Sequence, residues 1–132
     1  MTRVSAVLVA AAVALVAGCP AQARSLRIVG ASGYLSEWEL KADVTATKLG
    51  GQEEFSGPLT LKHVGLCAPN GAVEKSGTIR FHISKSMWSS EIHATLLIDG
   101  SKCTYNAKMS DSSSGFMDCP GGSSIPLTMR MQ

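Results

Sequence analysis

The sequence has few of the side chains from which charged or aromatic binding surfaces are built. Its 132 residues include 5% aromatic and 17% charged side chains, and the formal net charge is +2. Acidic and basic residues are interspersed along the chain, so neither a basic stripe for nucleic acid nor a polybasic membrane patch is expected. The composition therefore argues against a nucleic-acid-binding protein.

Motifs for enzyme and metal chemistry are also missing. No G-x-S-x-G nucleophile elbow occurs, and no Asp or His stands at a recognisable triad spacing from the serines of DSSSGF. The C-x-x-C spacing of zinc and redox sites is absent. The glycine pairs at 50–51 and 121–122 precede no helix, so turns explain them better than phosphate binding does. We therefore expect neither catalytic residues nor a cofactor.

Long apolar runs are confined to the N-terminus, where Arg3 precedes an apolar segment from Val4 to Ala17. This segment is too short to span a bilayer comfortably and is typical of an export signal. The rest of the chain, residues 24–132, is long enough for a single domain with one core. We therefore predict a signal peptide over residues 1–23 and one domain over residues 24–132.

Two cleavage sites follow the apolar segment in the stretch LVAGCPAQARS. A small-x-small pattern ending at Ala23 would release a periplasmic protein that begins at Arg24. A lipobox before Cys19 would instead give a protein anchored in the cell envelope by lipid. The helix-breaking Pro20 and the polar Arg24 favour cleavage after Ala23, with lipidation of Cys19 as the alternative.

Apolar and polar residues alternate along almost the whole domain. Over residues 36–46 a capping box, Ser36 to Glu39, would suit a helix, but the unbroken alternation from Trp38 to Ala46 favours a strand. The same period of two recurs in further segments separated by turn-rich breaks. The pattern predicts about eight strands in a small antiparallel up-and-down β-barrel, with a two-sheet β-sandwich as the alternative.

The hairpin registers bring two cysteines together. Asp99-Gly100 is a type I′ turn signal that places Leu96 opposite Cys103, and the symmetric register around Asp111 places Cys103 opposite Cys119. Opposed residues on antiparallel strands have Cβ atoms about 4.5–5.5 Å apart, which suits a disulfide. We therefore predict a Cys103–Cys119 disulfide, with Cys67 left as a buried free thiol.

The histidines and one tryptophan complete the candidate residues. His63 is expected on the inward face, whereas His82 and His93 are expected opposite each other on the outward face beside Asn106. Two imidazoles lack the full ligand set of a tight metal site, so no metal site is predicted. Trp88 lies in the KSMWSS turn, where we expect it to fold back over a barrel end; a partner-binding anchor is the alternative.

The stretches FSGPLTLKHVGLC, LLIDGSKCTY and GFMDCP are similar to small uncharacterised exported proteins of rhizobia-type bacteria. That resemblance implies no particular activity. Cys103, Cys119 and Pro120 also resemble part of the small periplasmic inhibitors of secreted metalloproteases, which are eight-stranded barrels with one disulfide. In this chain the cysteines of the pair come late rather than early.

Together these features predict an exported, non-enzymatic binding module that engages a protein or an apolar small molecule as a monomer. A periplasmic protease-inhibitor-like protein and a structural envelope lipoprotein are the alternatives. No nucleic acid is expected as a partner, and a membrane only if Cys19 is lipidated. A wide cavity beside Ala94 and Ala107 would favour a small ligand, whereas a filled interior with an exposed Trp88 would favour a protein.

Overall fold

The computed structural model describes residues 24–64 and 73–132, and these residues form eight strands. No helix in these two ranges is long and apolar enough to cross a membrane. The strands are β1 (Ser25–Ser32), β2 (Trp38–Leu49), β3 (Gln52–His63), β4 (Glu74–Lys85), β5 (Ser90–Ile98), β6 (Ser101–Met109), β7 (Ser112–Cys119) and β8 (Ser123–Met131).

The strands form one closed antiparallel barrel in sequence order. Closure is made by β1 and β8, which pair from Ile28 with Met131 to Ser32 with Leu127. Each of the eight described strands therefore has two hydrogen-bonded neighbours, and none of them is an edge strand that another chain could extend. The predicted small up-and-down barrel is confirmed, and the two-sheet sandwich is excluded.

An up-and-down barrel has two distinct ends. The last residues of β1, β3, β5 and β7 and the first residues of β2, β4, β6 and β8 lie at one end, which we call the mouth. The opposite strand ends, with the β2–β3, β4–β5 and β6–β7 turns, lie at the other end, which we call the base. Arg24 precedes β1 at the base.

The predicted hairpin registers are confirmed. Asp99 and Gly100 have φ values of 47° and 79°, as a type I′ turn requires, and Leu96 lies opposite Cys103. The strand predicted at residues 36–46 instead begins at Trp38, because Ser36 has a φ of 52° and belongs to the turn before it. The sequence also predicts short strands around Leu26 to Gly30 and around Gly115 to Cys119. β1 and β7 contain these segments and are longer, because pairing with neighbouring strands extends them.

Inward-facing side chains fill the barrel from wall to wall. The rings of Phe55 and Phe81 stack with their centroids 4.9 Å apart. Tyr105 is fully buried, and its hydroxyl donates to Ser113 Oγ and to the carbonyl oxygen of Leu127, each at 3.1 Å. Burial raises the pKa of Tyr105, and the hydrogen bond with Ser113 partly opposes that rise. The interior is therefore a packed core with its polar group satisfied, not a channel.

The strand ladder has its fewest paired residues between β6 and β7. Pairs form at Tyr105 with Met117 near the mouth and at Met109 with Ser113 near the base, and the ladder is interrupted between them. The disulfide Cys103–Cys119 links the same two strands at the mouth, with the two Cα atoms 4.2 Å apart. The predicted disulfide is thus present, and it fastens the least continuous part of the wall.

Glycines stand at three inward-facing strand positions where the backbone of a neighbouring strand comes close. A Cβ atom on Gly30 would overlap the backbone carbonyl of Thr128 on β8. A Cβ atom on Gly57 would likewise overlap the backbone carbonyl of Asp43, and a Cβ atom on Gly77 would overlap the backbone carbonyl of Leu97. Strand glycines commonly mark close backbone approaches of this kind. Gly30 lies within the β1–β8 ladder that closes the barrel.

We expect Cys103→Ser to destabilise the protein by about 3 kcal/mol, because a disulfide closing a loop of this length restricts the unfolded chain by about that amount. Denaturant unfolding of the variant and of the unaltered protein measures the loss of stability. Thiol counting of the unaltered protein after denaturation should find Cys67 as the one reactive thiol after residue 24. Finding three reactive thiols in the unaltered protein would contradict the pairing.

We expect Gly30→Ala to destabilise the barrel by about 1–3 kcal/mol, because the added methyl group must push β1 away from β8. Gly115→Ala is the matched control. Its Cβ would have its nearest contacts at 3.2 Å, on Ala107 Cβ and Asn106 O, so a small shift accommodates it. Thermal unfolding of both variants tests whether Gly30→Ala is the less stable of the two. Equal midpoints would show that barrel closure does not depend on Gly30.

Candidate functional site

A recess of about 370 Å³ opens at the mouth of the barrel. Its apolar lining comes from the mouth-side ends of several strands, and the disulfide forms part of its wall. The apolar floor of the recess includes Leu61, Ile98, Met117 and Ile125. Trp38 and Lys75 stand at its rim. Below the recess the barrel is filled by buried side chains such as Tyr105, so the recess is a cup that does not continue through the barrel.

Small side chains at inward positions leave this space. Ser32 ends β1, Ser101 begins β6, and both line the recess. The disulfide joins two inward positions by a short cross-link where larger apolar side chains would have met. The period-of-two pattern identifies these positions as inward-facing, but it does not reveal that several small ones lie together at the mouth.

Trp38 is held at the rim from two sides. His63, its partner in the β2–β3 register, packs against it edge to face, with the ring centroids 4.9 Å apart. Lys75 Nζ lies 4.9 Å from the centroid of the indole ring, within the range of a cation–π contact. His63 was predicted on the inward face, and the structure places it half-buried beside Trp38.

The β1–β2 turn is fastened across the mouth. Gly33 N donates to the carbonyl oxygen of Pro126, and the hydroxyl of Tyr34 donates to the carbonyl oxygen of Ser124 at 2.7 Å. The Glu37 carboxylate accepts the N–H of Leu35 at 2.9 Å. Tyr34 and Leu35 nevertheless remain 76% and 88% exposed. The turn is therefore a fixed apolar ledge beside the recess.

Acidic side chains outnumber basic ones around the mouth. Within three residues of the mouth-side strand ends, and in the described turns there, the charged residues are Glu37, Glu39, Glu74, Asp99 and Asp118 against Lys41, Lys62, Lys75 and Lys102. Three of them line the recess itself: Glu37, Lys75 and Asp99. The apolar floor is thus surrounded by a rim of net negative charge, which attracts cationic groups.

The second cluster of interest lies on the outer wall. His82 and His93 oppose each other as predicted, with their ring centroids 5.1 Å apart, and His93 Nδ1 lies 2.6 Å from Asn106 Oδ1. Glu91 lies opposite Lys108 in the register, but its carboxylate approaches His93 Nε2 at 3.6 Å instead. Glu91 therefore makes its contact along its own strand and not across to Lys108.

The cluster does not meet the requirements of a metal centre. Across the described ranges 24–64 and 73–132, no three His, Cys, Asp or Glu side chains are arranged to hold a metal ion. The imidazole of His93 is already held by Asn106 and Glu91. A polar outer wall accounts for these residues without a ligand.

The expectation that Trp88 folds back over a barrel end is wrong. Its side chain is 91% exposed and that of Met87 is 90% exposed. Ser86 and Ser89 pin the turn between them through their backbone and hydroxyl groups, so the two apolar side chains project from its tip. The serines flanking the tip were the signal available in the sequence, because such residues stabilise tight turns by local hydrogen bonds.

Three predicted features lie outside the described residues: the cleavage site after Ala23, the lipidation site at Cys19, and Cys67. A comparison of the chain with protein-family models, with curated proteins and with solved structures found no match.

We expect titration of the purified protein with Zn²⁺ near neutral pH to show no binding tighter than roughly micromolar, because two imidazoles lack the ligands of a dedicated site. Isothermal titration calorimetry measures this directly. His82→Ala serves as the comparison, since submicromolar binding that disappears in this variant would prove the view of the outer-wall cluster wrong.

Proposed function

We propose that the protein is an exported, non-enzymatic binding module whose mouth recess receives an apolar side chain from a basic segment of a partner protein. The observation that carries this proposal is the combination of an apolar floor with an acidic rim in one recess. A segment that presents an apolar residue between lysines or arginines matches both features, because the side chain fills the floor while the cations meet the rim.

The filled interior favours a protein partner over a small molecule. Small-molecule sites usually bury most of the ligand surface, whereas this recess is open at the mouth and does not continue into the packed core. Its apolar surface also continues outward onto the exposed Tyr34 and Leu35. Such a ledge adds contact area for a polypeptide that crosses the mouth, and it offers little to a molecule confined to the cup.

The groups around the recess suit binding better than catalysis. The Glu37 carboxylate is engaged by a backbone amide, and Lys75 lies over the ring of Trp38. Asp99 is part of the β5–β6 turn. No hydrogen bond joins a nucleophile to a base among the recess residues that the structure describes, whereas covalent catalysis requires such an activated pair.

The compartment follows from the disulfide and the N-terminal sequence. The Cys103–Cys119 bond is consistent with an oxidising environment, in which disulfides persist. The apolar segment before Arg24 adds a route of export. We infer a periplasmic location, in which the mouth meets exported or envelope proteins.

The test uses Trp38 as a reporter inside the recess. The chain has two tryptophans, so W88F leaves Trp38 as the only one. Short peptides with a central Leu or Phe flanked by lysines are titrated into this variant, beside peptides flanked by glutamates and lysine-flanked peptides with a central Ser. We expect the lysine-flanked apolar peptides to change Trp38 fluorescence, with an affinity that falls as salt is raised.

Matched variants on β6 locate the binding. Ser101 faces the recess, whereas Thr104 lies exposed on the outer wall of the same strand. Ser101→Phe should fill the recess and weaken binding about tenfold, the factor that corresponds to 1.4 kcal/mol, whereas Thr104→Phe should not. Equal binding of glutamate-flanked peptides would refute the acidic-rim argument. A small molecule retained in native mass spectrometry of the exported protein and displaced by Ser101→Phe would favour the small-ligand alternative.

A further inference from the structure

The base of the barrel carries an apolar projection that the mouth recess does not explain. Met87 and Trp88 form the tip of the β4–β5 turn and are the most exposed large apolar side chains among the described residues. A tryptophan and a methionine exposed together at one point bury nothing in this fold. Exposed apolar side chains grouped in this way usually mark a contact with a partner or a membrane.

The projection is rigid enough to serve as a contact. Ser86 N donates to the carbonyl oxygen of Ser89 at 2.8 Å, and Ser89 N donates back to Ser86 Oγ at 3.2 Å. The turn is therefore closed at its neck by reciprocal hydrogen bonds. Because its conformation is set in advance, the apolar tip loses little conformational freedom when it enters another phase.

The N-terminal sequence indicates what lies beyond the base. Arg24 precedes β1 at this end, and the apolar segment from Val4 to Ala17 lies a short distance before it in the chain. If Cys19 is lipidated, the five residues from Pro20 to Arg24 span at most roughly 17 Å. An anchor of that length holds the base, and not the mouth, against the bilayer.

The polar surroundings of the tip suit a phospholipid surface. Lys85 immediately precedes the turn, and Lys48 lies beside the neighbouring β2–β3 turn. Neither lysine takes part in any of the ion pairs among the described residues. Tryptophan favours the boundary between lipid chains and headgroups, and lysines beside it can reach the phosphates.

We propose that the base of the barrel docks on a phospholipid bilayer, with Trp88 and Met87 inserted into the headgroup region. The mouth then points away from the membrane, towards the partner. Docking does not depend on the recess, so each of the two proposals can fail without the other. When Cys19 is lipidated the tip is a second attachment, and when the chain begins at Arg24 it is the principal one.

The experiment follows Trp88 in the protein as exported, carrying W38F so that Trp88 is the only tryptophan. Vesicles of phosphatidylethanolamine and phosphatidylglycerol are added, and emission is recorded with and without brominated lipid chains. We expect a blue shift and quenching of Trp88 on the vesicles, because the indole leaves water for the interface. The result holds for either N-terminus, since it reports the position of the side chain and not only binding.

An equally exposed tryptophan at the mouth provides the control. L35W in a chain that also carries W38F and W88F places the reporter at the opposite end, where the original side chain is 88% exposed. The phenylalanine introduced by W88F keeps the tip apolar, and emission is read only on protein that co-sediments with the vesicles. Its emission should not shift on the same vesicles. The proposal is overturned if the protein does not bind the vesicles, if Trp88 stays in water on bound protein, or if the reporter at position 35 is quenched to the same extent.

Discussion

The pairing of β1 with β8 is the constraint on which the rest of this structure depends. Without it the eight strands would form an open sheet with two unpaired edges, and the inward side chains would face solvent on one side. Closure requires the two strands to approach closely at Gly30, where any side chain would overlap the carbonyl of Thr128. Gly57 and Gly77 permit similar close approaches elsewhere in the wall. A small barrel curves too strongly for side chains to be tolerated everywhere along its strands.

A filled interior moves any binding function to the ends of the barrel. Tyr105, Phe55 and Phe81 occupy the centre, and the hydroxyl of Tyr105 is satisfied by Ser113 and by the backbone of Leu127. A ligand cannot enter without disrupting this packing. The space that remains lies at the mouth, where two serines and the disulfide replace bulkier side chains. The disulfide therefore serves the wall, by fastening β6 to β7, and also shapes the recess beside it.

The two ends of the barrel have different chemistry, and the up-and-down topology keeps them apart. The mouth combines an apolar floor, a fixed ledge at Tyr34 and Leu35, and an acidic rim. The base carries Arg24, which precedes β1, and the rigid apolar tip of the β4–β5 turn. Since each end collects alternate turns of the chain, residues far apart in sequence share an end and neighbours in sequence are divided between them. This separation lets one domain of modest size face a membrane and a partner at the same time, as the two proposals require.

Strand positions, hairpin registers and the Cys103–Cys119 bond were predictable from the sequence, because alternation and the Asp99-Gly100 turn determine which residues oppose each other across local hairpins. The pairing of His82 with His93 followed for the same reason. The recess was not predictable from the sequence, because its lining comes from several strands that meet only when β8 closes on β1. The outward direction of Trp88 was also decided by the folded structure: Ser86 and Ser89 close the β4–β5 turn by hydrogen bonds, and the side chain that was expected to cover the core projects into solvent from its tip. Local pattern thus determined the positions and register of the strands, whereas barrel closure decided where the free space lies and the hydrogen bonds of the folded turn decided where the apolar tip points.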